Sequence, residues 1–149
     1  MVGVVNVETP ALTEVFQTIE FTSGISLTGG SGIQPPRVTA TPATITKVID
    51  SSSPHLVTLL AKDTTVNVRV ELCNHTNFPN PQLKCDPTSV YATYTYEKAK
   101  LTKIAATASP MFTDKAEEDV TVTYERIIYN VGGNTGTTFC FDFATDRTC

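Results

Sequence analysis

The sequence contains no tryptophan, only two histidines and only two methionines in 149 residues. Charge is sparse as well: 11 Lys and Arg stand against 15 Asp and Glu, a net of −4, with no basic cluster. Without a positive patch there is nothing to grip a phosphate backbone or an anionic bilayer, so nucleic acid and membrane surfaces are not expected partners. No apolar run approaches the roughly 18 residues that a spanning helix needs, and no membrane insertion is expected. The opening stretch MVGVVNVETPALTEV lacks the positive n-region and apolar block of a secretory signal. Either a signal has been removed or the chain leaves the cell by a route that needs none.

Reactive constellations are equally scarce. His55 falls in a helical first turn and His75 in a loop, and neither is accompanied by a nucleophile elbow. The only run of carboxylates, Glu117-Glu118-Asp119, reads as a solvated acidic surface rather than an opposed acid–base pair. The glycine segments GGSG and GGNTG do not lie between a parallel strand and a helix with a following lysine, so they are not phosphate loops. Tyr91, Tyr94 and Tyr96 alternate on a strand, where packing explains them more simply than base stacking. The reading is of a protein that is not an enzyme, with no cofactor and no metal.

What is present is threonine, valine and period-2 alternation, the composition of an all-β chain. At this length one domain, residues 1–149, is expected, with enough chain for a real core. The organising stretch is TITKVIDSSSPHLVTLLAKDTTVNVRVELC, Thr44 to Cys73, read as strand, short helix, strand. Ser53 is placed as N-cap and Pro54 at the first helical position, where its missing N–H costs nothing. Leu56, Leu59 and Leu60 form a stripe, and two turns of helix need a sheet to lie on. Val66, Val68, Val70 and Leu72 supply one face of it, opposite Asn67, Arg69, Glu71 and Cys73. The predicted architecture is a small antiparallel β-barrel or sandwich with one short α-helix plugging it.

Further strands are expected at Val2 to Val7, at VFQTIEFTSGISL with Val15, Ile19, Phe21, Ile25 and Leu27 sharing a face, and at Ile45 to Ile49. SVYATYTYEKAKLTKIAATAS alternates until Glu97 to Lys100, where the blurred pattern predicts a bulge or change of face. Pro110 to Glu118 reads as a polar loop, followed by a strand carrying Val120, Val122 and Tyr124, and by TTFCFDF with Phe139, Phe141 and Phe143 aligned. The stretch at about 28–43, TGGSGIQPPRVTATPA, is too long and irregular for a hairpin turn and too apolar at Ile33 and Val38 for a simple linker. A disordered loop and a projecting arm that orders against a neighbour are both open readings. The arm residues are Gly29, Gly30, Ile33, Pro35, Pro36 and Val38.

The four cysteines, Cys73, Cys85, Cys140 and Cys149, allow three pairings. Local pairing, Cys73–Cys85 and Cys140–Cys149, is favoured; buried free thiols and a zinc site built on Cys73, His75 and Cys85 remain open. Disulfides would place the working protein outside a reducing cytosol. Asn74-His75-Thr76 fits the glycan acceptor pattern.

From Thr44 onward the order of signals resembles the haemolysin-coregulated protein (Hcp) family, tube subunits of bacterial type VI secretion. In ITKVIDSSSPHLVTLLAKDTTV, Thr46, Lys47, Asp50, Ser53, Pro54 and Leu56 fill the family's pattern at the start of its one helix. VYATYTYEKAKLTKIA and VTVTYERIIYN, with GGNTG and a Phe-Asp pair after it, are similar to later family strands. Phe141 stands where the family usually has tryptophan, and the four cysteines and the tail ATDRTC are departures. The resemblance implies a β-barrel that closes into rings, six-membered by family analogy, stacked into a hollow tube. It implies the chain itself as partner, cargo and sheath or spike proteins as further ones, and an extracellular location. A phage or tailocin tail-tube subunit, or a secreted monomeric β-domain binding a small ligand or host surface, are the alternatives.

Overall fold

The computed structural model describes residues 2–30, 32, 35–73, 84–108 and 116–149. Strand β1 (Gly3–Glu8) and β2 (Thr13–Thr18) form a hairpin, and β3 (Glu20–Thr28) and β4 (Arg37–Val48) form a second, longer one. Helix α1 (Ser53–Ala61) follows, then β5 (Val66–Cys73) and the 18-residue β6 (Val90–Thr107). The chain ends with β7 (Glu117–Thr123), β8 (Arg126–Val131), a 3₁₀ turn (Gly133–Thr135), β9 (Thr137–Asp142) and the two-residue β10 (Arg147–Thr148).

All pairings are antiparallel, along the path β10-β9-β8-β6-β5-β1-β2, with β7, β4 and β3 added from the far half of β6. Strand β6 serves both halves because it bends. Between the pairs Val66↔Ala99 and Val68↔Tyr96 it carries one residue more than β5, and Lys98 there has φ 48°. This is the bulge that the broken alternation at Glu97 to Lys100 predicts. The circuit closes where β2 hands over to β3: Ile19 N donates to Thr46 O at 2.9 Å, as does Thr18 Oγ1 at 2.9 Å.

Inside, Val5, Val7, Val66, Val68, Val70, Val120 and Val122 meet Phe16, Ile45 and Tyr96, and Leu56 and Leu59 of α1 cap them from one end. Burying each such side chain is worth about 1.5–3 kcal/mol, which is why so short a helix persists. Residue Phe16, not Val15, is the inward side chain of β2. The face Val15–Ile19–Phe21–Ile25–Leu27 is therefore not continuous. The strand breaks at Ile19 to change sheets, and Ile25 and Leu27 are exposed.

The helix start differs by one residue from the sequence expectation. Leu56 N bonds to Ser52 O at 3.0 Å, making Ser52 the cap and Ser53 the first helical residue. The Ser53 hydroxyl is taken by a tertiary knot instead. It accepts from Asp50 N at 3.1 Å and from Lys47 Nζ at 3.0 Å, and donates to Glu118 Oε1. Lys47 is fully buried, and its ammonium also donates to Glu118 Oε1 at 2.7 Å, Asp50 Oδ1 at 2.9 Å and Val48 O at 3.0 Å. The Phe16 ring lies 5.2 Å from Nζ. Burial alone would raise the Asp50 pKa, but hydrogen bonds from Ser52 and Lys47, with the Lys47 charge, outweigh it and hold the carboxyl below its ordinary value. Glu118 is thus no part of a solvated acidic run. It is 4 % exposed and joins β7 to the start of α1.

Candidate functional site

The stretch at about 28–43 is only partly a loop. From Arg37 onward it is strand, paired Leu27↔Val38 and Thr28↔Arg37, so β3 and β4 make a hairpin after all. The connecting loop is confined to residues 29–36. Pro42 hid this pairing from the sequence reading. It sits in a bulge, where Pro42 and Ala43 together oppose Ser23, so its missing N–H breaks no ladder. It also marks where β4 leaves β7, since that pairing ends at Ala43↔Val122. Beyond Pro42 the hairpin stands clear of β7 as an arm.

At the arm's tip Gly29 and Gly30 have φ of 86° and 103°, a conformation that a side chain would resist. Pro35 and Pro36 lead back into β4, and Val38 packs partly buried against the core. Ile33 lies outside the described residues, as do Asn74, His75, Thr76 and most of the loop from Pro110. Alternation gives the arm two faces. Ser26, Thr28, Arg37 and Thr39 form the polar one, where Ser26 and Thr39 share a side-chain hydrogen bond of 3.1 Å. Ile25, Leu27, Val38 and Ala40 form the apolar one. Leu27 is 67 % exposed, and among the described residues β3 has β4 as its sole strand partner, leaving one edge open.

That open edge borders an apolar groove of about 310 Å³ lined by Ile25, Tyr94, Ile127, Tyr129 and Phe139, with Ser23 and Gly24 at its back. Its floor is aromatic and ordered: Tyr94 and Tyr129 stack with centroids 4.4 Å apart, and Phe21 meets Tyr94 edge-on at 5.2 Å. Burial, then the neighbouring Tyr129 charge and hydrogen bond, push the Tyr94 phenol up to about 12. Burial also raises Tyr96, against the opposing pull of the hydrogen bond it donates to Ser23 Oγ at 2.6 Å. These groups are placed for packing and hydrogen bonding, and none is poised to exchange a proton near neutrality.

The opposite face of the same sheet is polar. Arg69, Glu71, Thr93, Thr95, Asn130 and Thr138 line a shallow hollow of about 520 Å³ across β5, β6, β8 and β9. At its rim the glycine turn is stereochemically specific, because a Cβ at Gly136 would sit 1.8 Å from Val131 O.

All four cysteines are disulfide-bonded in the local pairing, Cys73–Cys85 with Cα atoms 6.0 Å apart and Cys140–Cys149 at 5.4 Å. This closes both the free-thiol and the zinc-thiolate readings. His55 pairs through Nδ1 with Glu14. Asp50 and Ser53 come together with Lys47 as the helix-anchoring knot, while Leu56 enters the core and Pro54 is exposed in the first turn. The arm residues gather at the other end of β4.

No curated protein matches the chain. Among solved structures it resembles Hcp1 of the E. coli EAEC 042 pathovar, at 13 % identity with 96 % of this chain and 99 % of that one covered and a TM-score of 0.75. It also resembles the secreted protein Hcp3 of Pseudomonas aeruginosa, at 22 % identity, 87 % and 76 % coverage and a TM-score of 0.62. A chain of the anti-feeding prophage baseplate matches at 11 % identity, 85 % and 91 % coverage and a TM-score of 0.53. At such identities the likeness speaks for the fold. The family model described as "Type VI secretion system effector, Hcp" matches residues 13–131, which is most of the chain, and the protein therefore belongs to the Hcp family of type VI secretion.

Proposed function

We propose that this protein is a non-catalytic tube subunit that works outside the cell. Copies close side by side into a ring and rings stack into a hollow tube, with the arm as the axial element. The observation that carries the reading is the open β3 edge, with Ile25 and Leu27 exposed beside an aromatic groove on a hairpin that runs on past the end of β7. An isolated domain gains nothing from that arrangement, whereas a heterologous contact between identical copies covers it. Six copies per ring is the number we adopt, by analogy with the fold likeness to a six-fold baseplate. The polar hollow on the opposite sheet face then needs only to stay wet, facing the lumen or the outside. Cargo inside the tube and sheath or spike proteins around it are the expected further partners. Two disulfides suit an oxidising exterior.

A second reading has one observation in its favour, the aromatic groove, which would suit a small apolar ligand on a secreted monomer. Assembly distinguishes the two. Concentrated, unreduced protein should give rings and tubes in negative-stain micrographs and sediment well above monomer mass. Because Thr28 and Arg37 are paired, residues 29–36 can be replaced by an Asn-Gly turn without disturbing the ladder. That variant should fold and form rings but no long tubes. Tubes of undiminished length would refute the axial role of the arm, and single chains at every concentration would refute the tube reading.

A further inference from the structure

We infer that the Cys140–Cys149 disulfide is a redox clip that holds the C-terminal turn against the tip of the arm and so regulates axial contact between subunits. The regulatory half rests on the tube reading; the clip does not.

The chain is firmly anchored only as far as Phe143. Its ring packs on Tyr124 at 5.8 Å and Phe141 at 4.9 Å, and its N–H bonds to Glu125 O at 2.8 Å. After it come two bonds from Ala144 N and Thr145 N to Asp142 Oδ1, then Asp146 in a left-handed conformation with φ 56°. Strand β10 is two exposed residues at the outermost edge of the sheet, paired with Asp142 and Phe141, and Cys149 N reaches Cys140 O at 3.2 Å. No buried side chain holds residues 144–149, and a strand this short does not stay paired by itself. The disulfide is what keeps it there. Across from the turn, Asp146 shares a crevice of about 630 Å³ with Thr28, Gly29, Pro35, Pro36 and Arg37, the tip of the arm.

The two disulfides are not equally open to attack. Cys73 and Cys85 are both buried, with Val4, Val15 and Val90 around them. Cys140 is half-buried and Cys149 exposed. A thiolate must reach a sulfur atom to exchange, so the tail bond opens first. A dithiol reductant supplies two electrons and two protons: the S–S bond breaks, two thiols form, and the reductant leaves as its own disulfide. A small-molecule disulfide oxidant reverses each step: it takes the two electrons and two protons, is itself reduced to thiols, and the clip re-forms.

The test uses the full chain with dithiothreitol as reductant. Alkylation and mass spectrometry should label Cys140 and Cys149 before Cys73 and Cys85. At that point trypsin should cut after Arg147 and after Arg37 on the order of tenfold faster than in oxidised protein, as local opening allows, while Lys47 and Arg69 stay resistant. The double variant Cys140→Ser/Cys149→Ser should behave like the reduced chain without any reductant. Unchanged cutting at Arg37 in both preparations, or labelling of Cys73 and Cys85 first, overturns the clip. If cutting changes but neither redox form makes rings or tubes, the clip stands and the tube reading falls. If both forms make tubes of equal length despite the change in cutting, the clip's control of stacking is overturned.

Discussion

Replacing Lys47 by methionine tests the central structural argument. The change keeps the stem and deletes a fully buried ammonium whose nearest carboxylate oxygen, Glu118 Oε1, is 2.7 Å away. The two partners do not suffer equally. Asp50 is partly open to water and still accepts from the Ser52 N–H and hydroxyl, so its loss is small. Glu118 is 4 % exposed and, among the described residues, keeps the Ser53 hydroxyl as its side-chain donor, so its charge is left buried without a cation. Removing one member of a buried pair costs about 3–5 kcal/mol, against a total stability of about 5–15 kcal/mol for such a domain. At this chain length each kcal/mol moves the midpoint by about 2–4 °C, so Lys47→Met should lower Tm by about 6–20 °C.

The double variant Lys47→Met/Glu118→Leu should recover most of that loss, because well-packed apolar groups commonly replace a buried ion pair at little cost. Urea midpoints of the two single variants and the double, all with disulfides oxidised, give the coupling energy directly. We expect at least about 2 kcal/mol, within the range for groups in one network. Additive effects, or a Lys47→Met penalty under about 1 kcal/mol, would show that the knot does not hold the helix to β4 and β7. The outcome also bears on recognition. Lys47, Asp50 and Ser53 are among the residues that make the sequence resemble its family, and the geometry makes them a folding device.

Reducing and alkylating the buried Cys73–Cys85 bond, which closes a separation of 12 residues, should cost about 3 kcal/mol on loop entropy alone; an unchanged thermal midpoint would contradict this. Alkali should unfold the protein cooperatively. The folded-state values of Tyr94, Tyr96 and Tyr124 are raised above the ordinary 10, so their contribution is complete below pH 10 and is lost as pH climbs through about 12, the value for Tyr94. Tyrosinate absorbance from these three should therefore appear together with loss of β-sheet circular dichroism, and early, independent titration would refute their burial.

The fold was largely legible because its strongest signals are local. The alternation from Val66 to Leu72 and the Pro54–Leu56–Leu59 pattern depend on neighbours in sequence, and both appear where the residues demand. The same holds for two cysteine pairs 12 and 9 residues apart. What escaped depends on partners far along the chain. Glu118 looks solvated between Glu117 and Asp119 until Lys47, 71 residues away, is seen to bury it. Ser53 looks like a cap until that same lysine takes its hydroxyl. Phe16 is ambiguous in sequence because Val15 offers an equally plausible phase, and the sheet change at Ile19 decides between them. The stretch Val38-Thr39-Ala40-Thr41, with three β-branched residues, is a usable strand signal, masked by the glycines and prolines on either side.

Ile25 and Leu27 are a different kind of miss. Alternation correctly marks β3 as a strand with an apolar face, but a sequence does not say whose core that face enters. In a single copy Phe21 and Val38 pack partly buried against the core, while Ile25 and Leu27 stay exposed. Making both polar would leave the barrel's interior untouched, since neither belongs to it. Burying one such side chain is worth about 1.5–3 kcal/mol, too little to hold two free molecules together against the cost of association. In a repeating assembly the sum differs, because every interior subunit both gives and receives each contact, laterally and axially. Modest contacts then hold an array that no isolated pair would sustain, provided each edge is presented at a fixed angle. The covalent reinforcement lies where that condition is set. Neither disulfide crosses the valine core; one closes the connection between β5 and β6, and the other fixes the outermost edge of the sheet beside the arm.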